Sequence, residues 1–262
     1  MATVSAMGPV RSELMWQAVV DAVEIVGRDS VLDVLDLGGG TGGDAVRLAQ
    51  LGHRVTVVDP SPDALASLHR RGVEAGLPEP VTGVQGDAAD LLDHVAPTSF
   101  DLVVCHGVLE HVDDPGEALG TVATVLRPGG HASVMVAGRN AAVAARALAG
   151  DFVTAQTMLS RSAASWDVRT MGPRRFVAAE VEELLGRQGF TSIESNGIRV
   201  FADLVPSAIV DTEPGAREAL YALERILRTS SDFTGLSAGL HTIARLDLGS
   251  ATSDPGGKSA TL

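Results

Sequence analysis

Short apolar runs alternate with amphipathic segments along the first half of the chain. Five runs rich in β-branched and aliphatic residues predict buried strands at 31–37, 54–58, 81–85, 100–105 and 131–137. The segments between them carry apolar residues at helical spacing, and a helix capped by Ser12 is predicted ahead of the first strand. Strand–helix units joined by right-handed crossovers predict an α/β fold: a doubly wound, mainly parallel sheet of the Rossmann-like type.

This rhythm breaks after the fifth strand. Residues 139–175 and 203–235 are predicted to be helical insertions that form a cap on the sheet. A helix at 178–189 follows the first insertion, and strands at 191–200 and near 240–246 complete a sheet of seven strands.

Composition indicates one large domain. The 262 residues are long enough for a single core, which we place at residues 1–247. Residues 1–10 are expected to be mobile, and residues 248–262, rich in Gly, Ser, Asp and Pro, to be disordered. Cys105 is the only cysteine, and the chain shows neither a signal peptide nor a membrane-spanning apolar run. We therefore expect a cytoplasmic protein with no membrane partner.

The first strand leads into a glycine-rich turn around which the chain is organised. Five of the six residues at 38–43 are glycine, which permits a sharp turn and a close backbone approach to a ligand. Gly38, Gly40 and Gly43 match the pattern that receives the pyrophosphate of a nicotinamide dinucleotide. Asp36 favours a different ligand, because a negative charge at the strand end opposes a pyrophosphate and suits a cation. A third interpretation is that the glycine turn has only a structural role.

Other candidate residues follow the later strands. Asp59 ends the second strand, about twenty residues beyond the first glycine, where it can accept hydrogen bonds from both ribose hydroxyls of an adenosine; otherwise it is a loop carboxylate. Asp87 can cap a helix as well as meet a ligand. His106 ends the fourth strand and is expected to face the ligand crevice. Glu110 and His111, one helical step further, are assigned to packing.

The charge distribution is uneven. The chain carries 33 acidic and 20 basic residues, a net charge of −13 that would repel a phosphate backbone unless the bases gather on one face. Six arginines against only two acidic residues lie in the first insertion. This basic region is either a polyanion contact or the solvated face of a helical lid. No metal-ligand spacing is present in the sequence.

Two levels of resemblance refine these readings. The pattern from Asp36 to Gly42, acid-x-G-x-G-x-G, resembles motif I of the class I S-adenosyl-L-methionine (SAM)-dependent methyltransferases, whose ligand carries a sulfonium and an ammonium. Over residues 8–246 the chain resembles more closely the family of tRNA 5-carboxymethoxyuridine methyltransferases. The stretches that carry this likeness are 8–11, 14–17, 35–40, 106–110, 114–115, 125–130, 140, 149–152 and 197–201.

The resemblance implies a SAM site. The residues that would contact SAM are Arg11, Asp36, Gly38, Gly39, Gly40, Asp59, Asp87, Ala88, Ala89 and His106. Arg11, by spacing alone a solvent-exposed charge, gains by the resemblance a role as a clamp for the methionine carboxylate. A lysine-rich tract associated with the tRNA enzymes is absent here, and residues 160–165 stand in its place.

The resemblance also implies a tRNA carboxylate as the methyl acceptor. A carboxylate is ionised at neutral pH and needs no general base, only cations to position it. The candidate cations are Arg139, Arg169, Arg174, Arg175 and Arg199. If the acceptor were a phenol or an alcohol, His106 would be the candidate base. A small-molecule methyltransferase and a non-catalytic SAM-binding module are the alternatives.

Overall fold

The computed structural model describes residues 7–27, 30–77 and 81–248, with side chains from residue 12 onward. Seven strands form one sheet in the order β3-β2-β1-β4-β5-β7-β6. The strands are β1 (Asp33–Leu37), β2 (Arg54–Asp59), β3 (Thr82–Gln85), β4 (Phe100–His106), β5 (Leu126–Ala137), β6 (Phe190–Ile198) and β7 (Gly239–Leu246). The first five are parallel, and β7 runs antiparallel to both β5 and β6. The predicted doubly wound, mainly parallel fold is confirmed.

Helices cover both faces of this sheet. They are α1 (Met7–Gly27), α2 (Gly43–Gln50), α3 (Pro62–Glu74), α4 (Leu91–His94), α5 (Pro115–Val125), α6 (Arg139–Leu148), α7 (Phe152–Leu159), α8 (Val168–Met171), α9 (Ala178–Arg187), α10 (Ser207–Thr212), α11 (Ala216–Leu227) and α12 (Ser231–Thr234). Successive strand residues point to opposite faces: Val34 packs with α1, α2 and α3, and Leu35 with α4, α5 and α9. Burial on both faces explains why the strands read as continuous apolar runs.

A serine caps the start of α3 but not the start of α1. Ser61 Oγ accepts a hydrogen bond from the Ala64 N–H at 3.2 Å, with Pro62 at the first helical position. The predicted cap at Ser12 is wrong, because α1 begins at Met7 and Ser12 lies inside it. Pro9 is compatible with this earlier start, because a proline in the first helical turn loses no intrahelical hydrogen bond.

The two insertions are helical, as predicted. The first contains α6, α7 and α8 and starts directly after β5, so α6 lies at the carboxyl end of the parallel strands. The second contains α10, α11 and α12. Residues 7–10, expected to be mobile, are helical, whereas the expectations for residues 1–6 and 249–262 lie outside the described residues. Among the helices described, none is both long and apolar enough to cross a bilayer.

Candidate active site

The glycine turn after β1 holds a buried carboxylate against its backbone. Gly38, Gly40 and Gly42 adopt positive φ angles of 71°, 57° and 71°, which side chains rarely tolerate. A Cβ on Gly39 would collide with the Asp36 carboxylate and lie 3.0 Å from a methyl of Val57. Glycine at position 39 is therefore what allows Asp36 to lie directly beneath the turn.

Asp36 provides a buried negative charge at the end of β1. Its side chain is only 6% exposed. Burial, together with the nearby charges of Asp44 and Asp59, raises the pKa of Asp36 to about 7. A bound cation would stabilise the ionised form and lower that pKa, so the site suits an ammonium or a sulfonium better than an anion.

Asp59 is held rigidly at the end of β2. Its Oδ2 accepts the Gly40 N–H at 2.8 Å, and its Oδ1 accepts the Ser61 N–H at 2.9 Å. Each carboxylate oxygen keeps lone-pair capacity for a further donor. The carboxylate is thus already oriented to accept two neighbouring hydroxyl groups, as the ribose of an adenosine would present them.

Gly38 lines two cavities. The first, of about 880 Å³, lies on the side of Asp59, and the second, of about 790 Å³, on the side of Asp36. The predicted residues in the first are Gly38, Asp59, Asp87, Ala88 and Ala89, and those in the second are Asp36, Gly38, Gly39 and His106. Both volumes suit a small-molecule site. The donors and acceptors of these residues fit SAM, and the contact of each residue with SAM stays a prediction.

The predicted roles of Asp87 and Arg11 concern the same crevice. Asp87 does not cap a helix: its Oδ1 accepts the Ala89 N–H at 2.7 Å in a local turn, and α4 starts only at Leu91. Its contact with a ligand stays a prediction. Only the backbone of Arg11 is described, so its role also stays a prediction, although Ser12 and Met15 on the same helix line the second cavity.

His106 ends β4 and lines the second cavity. Its Nε2 lies 2.8 Å from the Ser133 Oγ. Burial lowers the pKa of His106 to about 4, so the imidazole is neutral at physiological pH.

Glu110 has the packing role assigned to it, because its buried carboxylate accepts the Ala137 N–H at 2.7 Å. His111 was wrongly assigned to packing: it is exposed and lines the first cavity.

A third cavity, of about 360 Å³, lies between α6 and the segment that follows β6. Arg146, Arg175 and Arg199 line it together with Asp203. The Arg199 Nη1 lies 3.3 Å from the Asp203 Oδ2, whereas the Arg199 Nε is buried and has no hydrogen-bond partner among the described residues. This excess of guanidinium groups makes the cavity suitable for an anion.

The segment that carries Arg199 is fixed by a buried glutamate. The N–H groups of Val200, Phe201 and Ala202 donate to the Glu224 carboxylate of α11 at 2.8, 2.8 and 2.6 Å. Arg199 itself has a φ of 59°, the left-handed region that non-glycine residues avoid. The chain thus maintains a strained backbone at an arginine that faces a cavity.

Arg139 and Arg174 do not reach that cavity. Arg139 is buried and donates to the Glu180 Oε1 at 3.1 and 3.0 Å. Arg174 is buried and donates to the carbonyl oxygens of Leu109, Val112, Asp113 and Ala163. The prediction that these two arginines bind an acceptor is therefore corrected: the Arg139 guanidinium joins α6 to α9, and the Arg174 guanidinium holds the first insertion to the loop that follows β4. Arg169 is exposed on α8, and its role stays a prediction.

Arg146 was not predicted, although the sequence carried a signal. It follows a run of alanines on α6, and Ala141, Ala142 and Ala145 line the cavity beside it. Small side chains on that helix face leave the volume open. In the described part of the chain, no group of His, Cys, Asp and Glu side chains could hold a metal ion.

Comparisons with known proteins agree with this geometry. Residues 35–134, which include the glycine turn, Asp59 and His106, match the family described as a methyltransferase domain. The tRNA 5-carboxymethoxyuridine methyltransferase of Escherichia coli K12 is 29% identical over 239 residues, covering 91% of this chain and 88% of that protein. A ubiquinone biosynthesis O-methyltransferase of Cupriavidus pinatubonensis is 36% identical over 107 residues, covering 41% of this chain and 42% of that protein.

Solved structures show the same fold. The Burkholderia thailandensis 1,6-didemethyltoxoflavin-N1-methyltransferase, determined with S-adenosylhomocysteine, superposes with a TM-score of 0.55 at 22% identity, covering 94% of this chain and 80% of that one. Its match supports the architecture, and the family match supports the cofactor. The hypotheses of a nicotinamide cofactor and of a non-catalytic SAM-binding module are set aside. The chain is a SAM-dependent methyltransferase with the class I Rossmann-like fold.

Proposed function

We propose that this enzyme transfers the methyl group of SAM to the carboxylate of 5-carboxymethoxyuridine in tRNA, forming a methyl ester. The cavity lined by Arg146, Arg175 and Arg199 carries this proposal, because it offers positive charge for an anionic acceptor. The similarity to the E. coli tRNA enzyme supports it, since that similarity spans 91% of the chain and so includes most of both insertions. A tRNA substrate would place the enzyme in the cytoplasm.

The reaction requires the protein mainly to align the acceptor with the methyl group. Bound SAM supplies an electrophilic methyl carbon on a sulfonium. A carboxylate acceptor is ionised at neutral pH, so its oxygen attacks without prior proton removal. The protein must hold the acceptor in line with the methyl group and exclude competing orientations. Arg199 and Arg175 are suited to that task because a guanidinium can bind both oxygens of a carboxylate.

The strain at Arg199 supports the same assignment. Left-handed backbone at a non-glycine residue costs about 1–2 kcal/mol and tends to occur where a function depends on it. Here the Glu224 hydrogen bonds over-determine the segment and hold the guanidinium at the cavity. Asp203 pairs with Arg199 at 3.3 Å, and an incoming carboxylate would compete with it for the same donor.

A small-molecule acceptor is the second candidate. The net charge of −13 favours it, because such a surface attracts nucleic acid only where arginines are gathered locally. The ubiquinone-pathway relative supports it less, since the similarity covers 41% of this chain.

A transfer assay separates the two candidates. Purified protein is incubated with methyl-labelled SAM and two acceptor pools from the host: tRNA from a strain lacking this gene, and a small-molecule extract. We expect label in tRNA that mild alkali releases as from a methyl ester. Label confined to the small-molecule pool would refute the tRNA assignment.

Charge-removing variants then test the cavity. Arg175→Gln and Arg199→Gln should each raise the KM for the acceptor while leaving SAM affinity unchanged. Arg161→Gln is the matched control, because this exposed arginine lies in the same insertion as Arg175 and carries the same charge. Equal effects of all three variants would show that bulk charge, and not the cavity, attracts the acceptor.

A further inference from the structure

A line of three hydrogen-bonded side chains leads inward from the second cavity. The His106 Nε2 lies 2.8 Å from the Ser133 Oγ, which lies 2.8 Å from the His241 Nε2. Ser133 is 0% exposed and His241 is 1% exposed. They belong to the adjacent strands β4, β5 and β7, so the sheet itself sets their spacing. The methyltransferase reaction as described above assigns no role to Ser133 or His241.

The hydroxyl group can donate to only one of the two rings. It has a single proton and must accept a hydrogen bond from the other ring. Either His106 donates to Ser133 and Ser133 to His241, or His241 donates to Ser133 and Ser133 to His106. Each direction fixes the tautomer of both neutral histidines.

The inner histidine decides the direction. The His241 Nδ1 is buried and has no hydrogen-bond partner among the described residues. If Ser133 donated to His241, the proton of that ring would be on Nδ1, a buried N–H without an acceptor. In the other direction Nδ1 is a bare lone pair. Buried N–H groups without an acceptor are the rarer defect, so the second direction is favoured.

Doubly protonated rings are excluded by the surroundings. Burial lowers the pKa of His106 to about 4 and that of His241 well below its usual 6.5. The positive charge of Arg228 lowers the pKa of His241 further. Both rings are therefore neutral, and each carries one proton.

We infer that His241 and Ser133 hold His106 in the tautomer with its proton on Nδ1, which makes His106 a hydrogen-bond donor toward the cavity. Its Nε2 is occupied by the Ser133 hydroxyl, so Nδ1 is the ring nitrogen left for a ligand. The group that fits is a carboxylate oxygen, from either the methionine portion of SAM or the acceptor. Only the acceptor alternative rests on the proposed function.

This arrangement also makes His106 unable to act as a base. A nitrogen that carries the proton offers no lone pair to a substrate hydroxyl. The site is thereby built for acceptors that are already anionic. Ser133 and His241 act as positioning residues, because they determine what His106 presents without touching the ligand.

Nitrogen NMR on the full-length protein tests the inference directly. With ¹⁵N-labelled histidine, a long-range proton–nitrogen correlation spectrum distinguishes protonated from unprotonated ring nitrogens, and His106→Gln and His241→Gln assign the signals. We expect His106 protonated at Nδ1 and His241 protonated at Nε2. Protonation of His106 at Nε2 would overturn the inference. This result is independent of whether tRNA is the substrate.

Ligand additions then distinguish the two carboxylates. If the methionine portion is the partner, S-adenosylhomocysteine alone should shift the His106 Nδ1 signal. If the acceptor is the partner, the shift should require 5-carboxymethoxyuridine-containing tRNA as well. Absence of a shift with both ligands together would refute the donor role.

Kinetics of a matched pair provide the second test. Ser133→Ala should lower kcat/KM for methyl transfer by about tenfold, the scale of one lost hydrogen bond, and mix the His106 tautomers. Ser133→Thr keeps the hydroxyl, so it should retain both the wild-type kcat/KM and the single His106 tautomer. Ser195→Ala is the control, because Ser195 shares a hydrogen bond with Thr242 on β7 but is distant from His106 along the sheet. Unchanged tautomers in Ser133→Ala would count against the inference.

Discussion

Replacing Arg199 by glycine should separate its role in function from its role in folding. The φ of 59° at Arg199 strains any residue with a Cβ by about 1–2 kcal/mol, and glycine relieves that strain. Against this gain, glycine loses about 0.5–1 kcal/mol through greater chain entropy in the unfolded state. The ion pair with Asp203 is partly exposed, with side chains 24% and 31% accessible, and is worth about 0–1 kcal/mol.

These contributions nearly cancel for glycine but not for alanine. Arg199→Gly should change the free energy of unfolding by no more than about 1 kcal/mol. Arg199→Ala keeps the strain and loses the pair, so it should be about 1 kcal/mol less stable than the glycine variant. Urea denaturation of both variants and the wild type measures the difference.

The same two variants should lose acceptor binding equally. A hydrogen bond from a charged donor to a carboxylate contributes about 1.5–3 kcal/mol, which corresponds to a rise in KM for the acceptor of about 10- to 100-fold. Calorimetry should show unchanged SAM affinity. A glycine variant less stable than the alanine variant would refute the strain argument. An unchanged acceptor KM in both would refute the assignment of Arg199.

Three further perturbations test the cofactor site and the insertion. Because burial raises the pKa of Asp36 from 3.8 to about 7, ionisation of this carboxyl should destabilise the free protein as pH rises toward 7. A cationic cofactor favours the ionised form, so SAM affinity measured by calorimetry should rise between pH 6 and pH 7.5, by up to about tenfold; Asp36→Asn should abolish that rise. Gly39→Ala should weaken SAM binding at least about tenfold in the same assay, because its methyl meets the Asp36 carboxylate, whereas Gly43→Ala, whose Cβ would meet nothing within 4 Å, should be tolerated. Arg174→Gln should destabilise the fold by about 1–3 kcal/mol in urea denaturation, because it leaves buried carbonyl groups without donors, and the exposed Arg169→Gln should change stability by less than about 0.5 kcal/mol.

The fold could be predicted from local patterns. Buried parallel strands appear in the sequence as apolar runs. The glycine turn, Asp59 and the Ser61 cap can each be recognised from a few neighbouring residues. The start of α1 could not be placed, because Ser12 suits a cap and also suits the interior of a helix. A preference for capping alone therefore does not fix where this helix begins.

The arginines show the limit of sequence for the site. Arg174 and Arg175 are neighbours with the same chemistry, yet one donates to four backbone carbonyl groups and the other lines a cavity. That choice depends on which carbonyls the fold brings within reach, and these lie 11 to 65 residues away. The link from His106 through Ser133 to His241 spans similarly long separations, so no local signal could reveal it.

The most direct test of the central claim is to locate the transferred methyl group. After reaction with methyl-labelled SAM, tRNA from a strain lacking this gene is digested to nucleosides, and the labelled nucleoside is identified by mass spectrometry before and after mild alkali. We predict label in the methyl ester of 5-carboxymethoxyuridine, and its loss after alkali. Label in an alkali-stable base or ribose position, or no label in tRNA, would contradict the account.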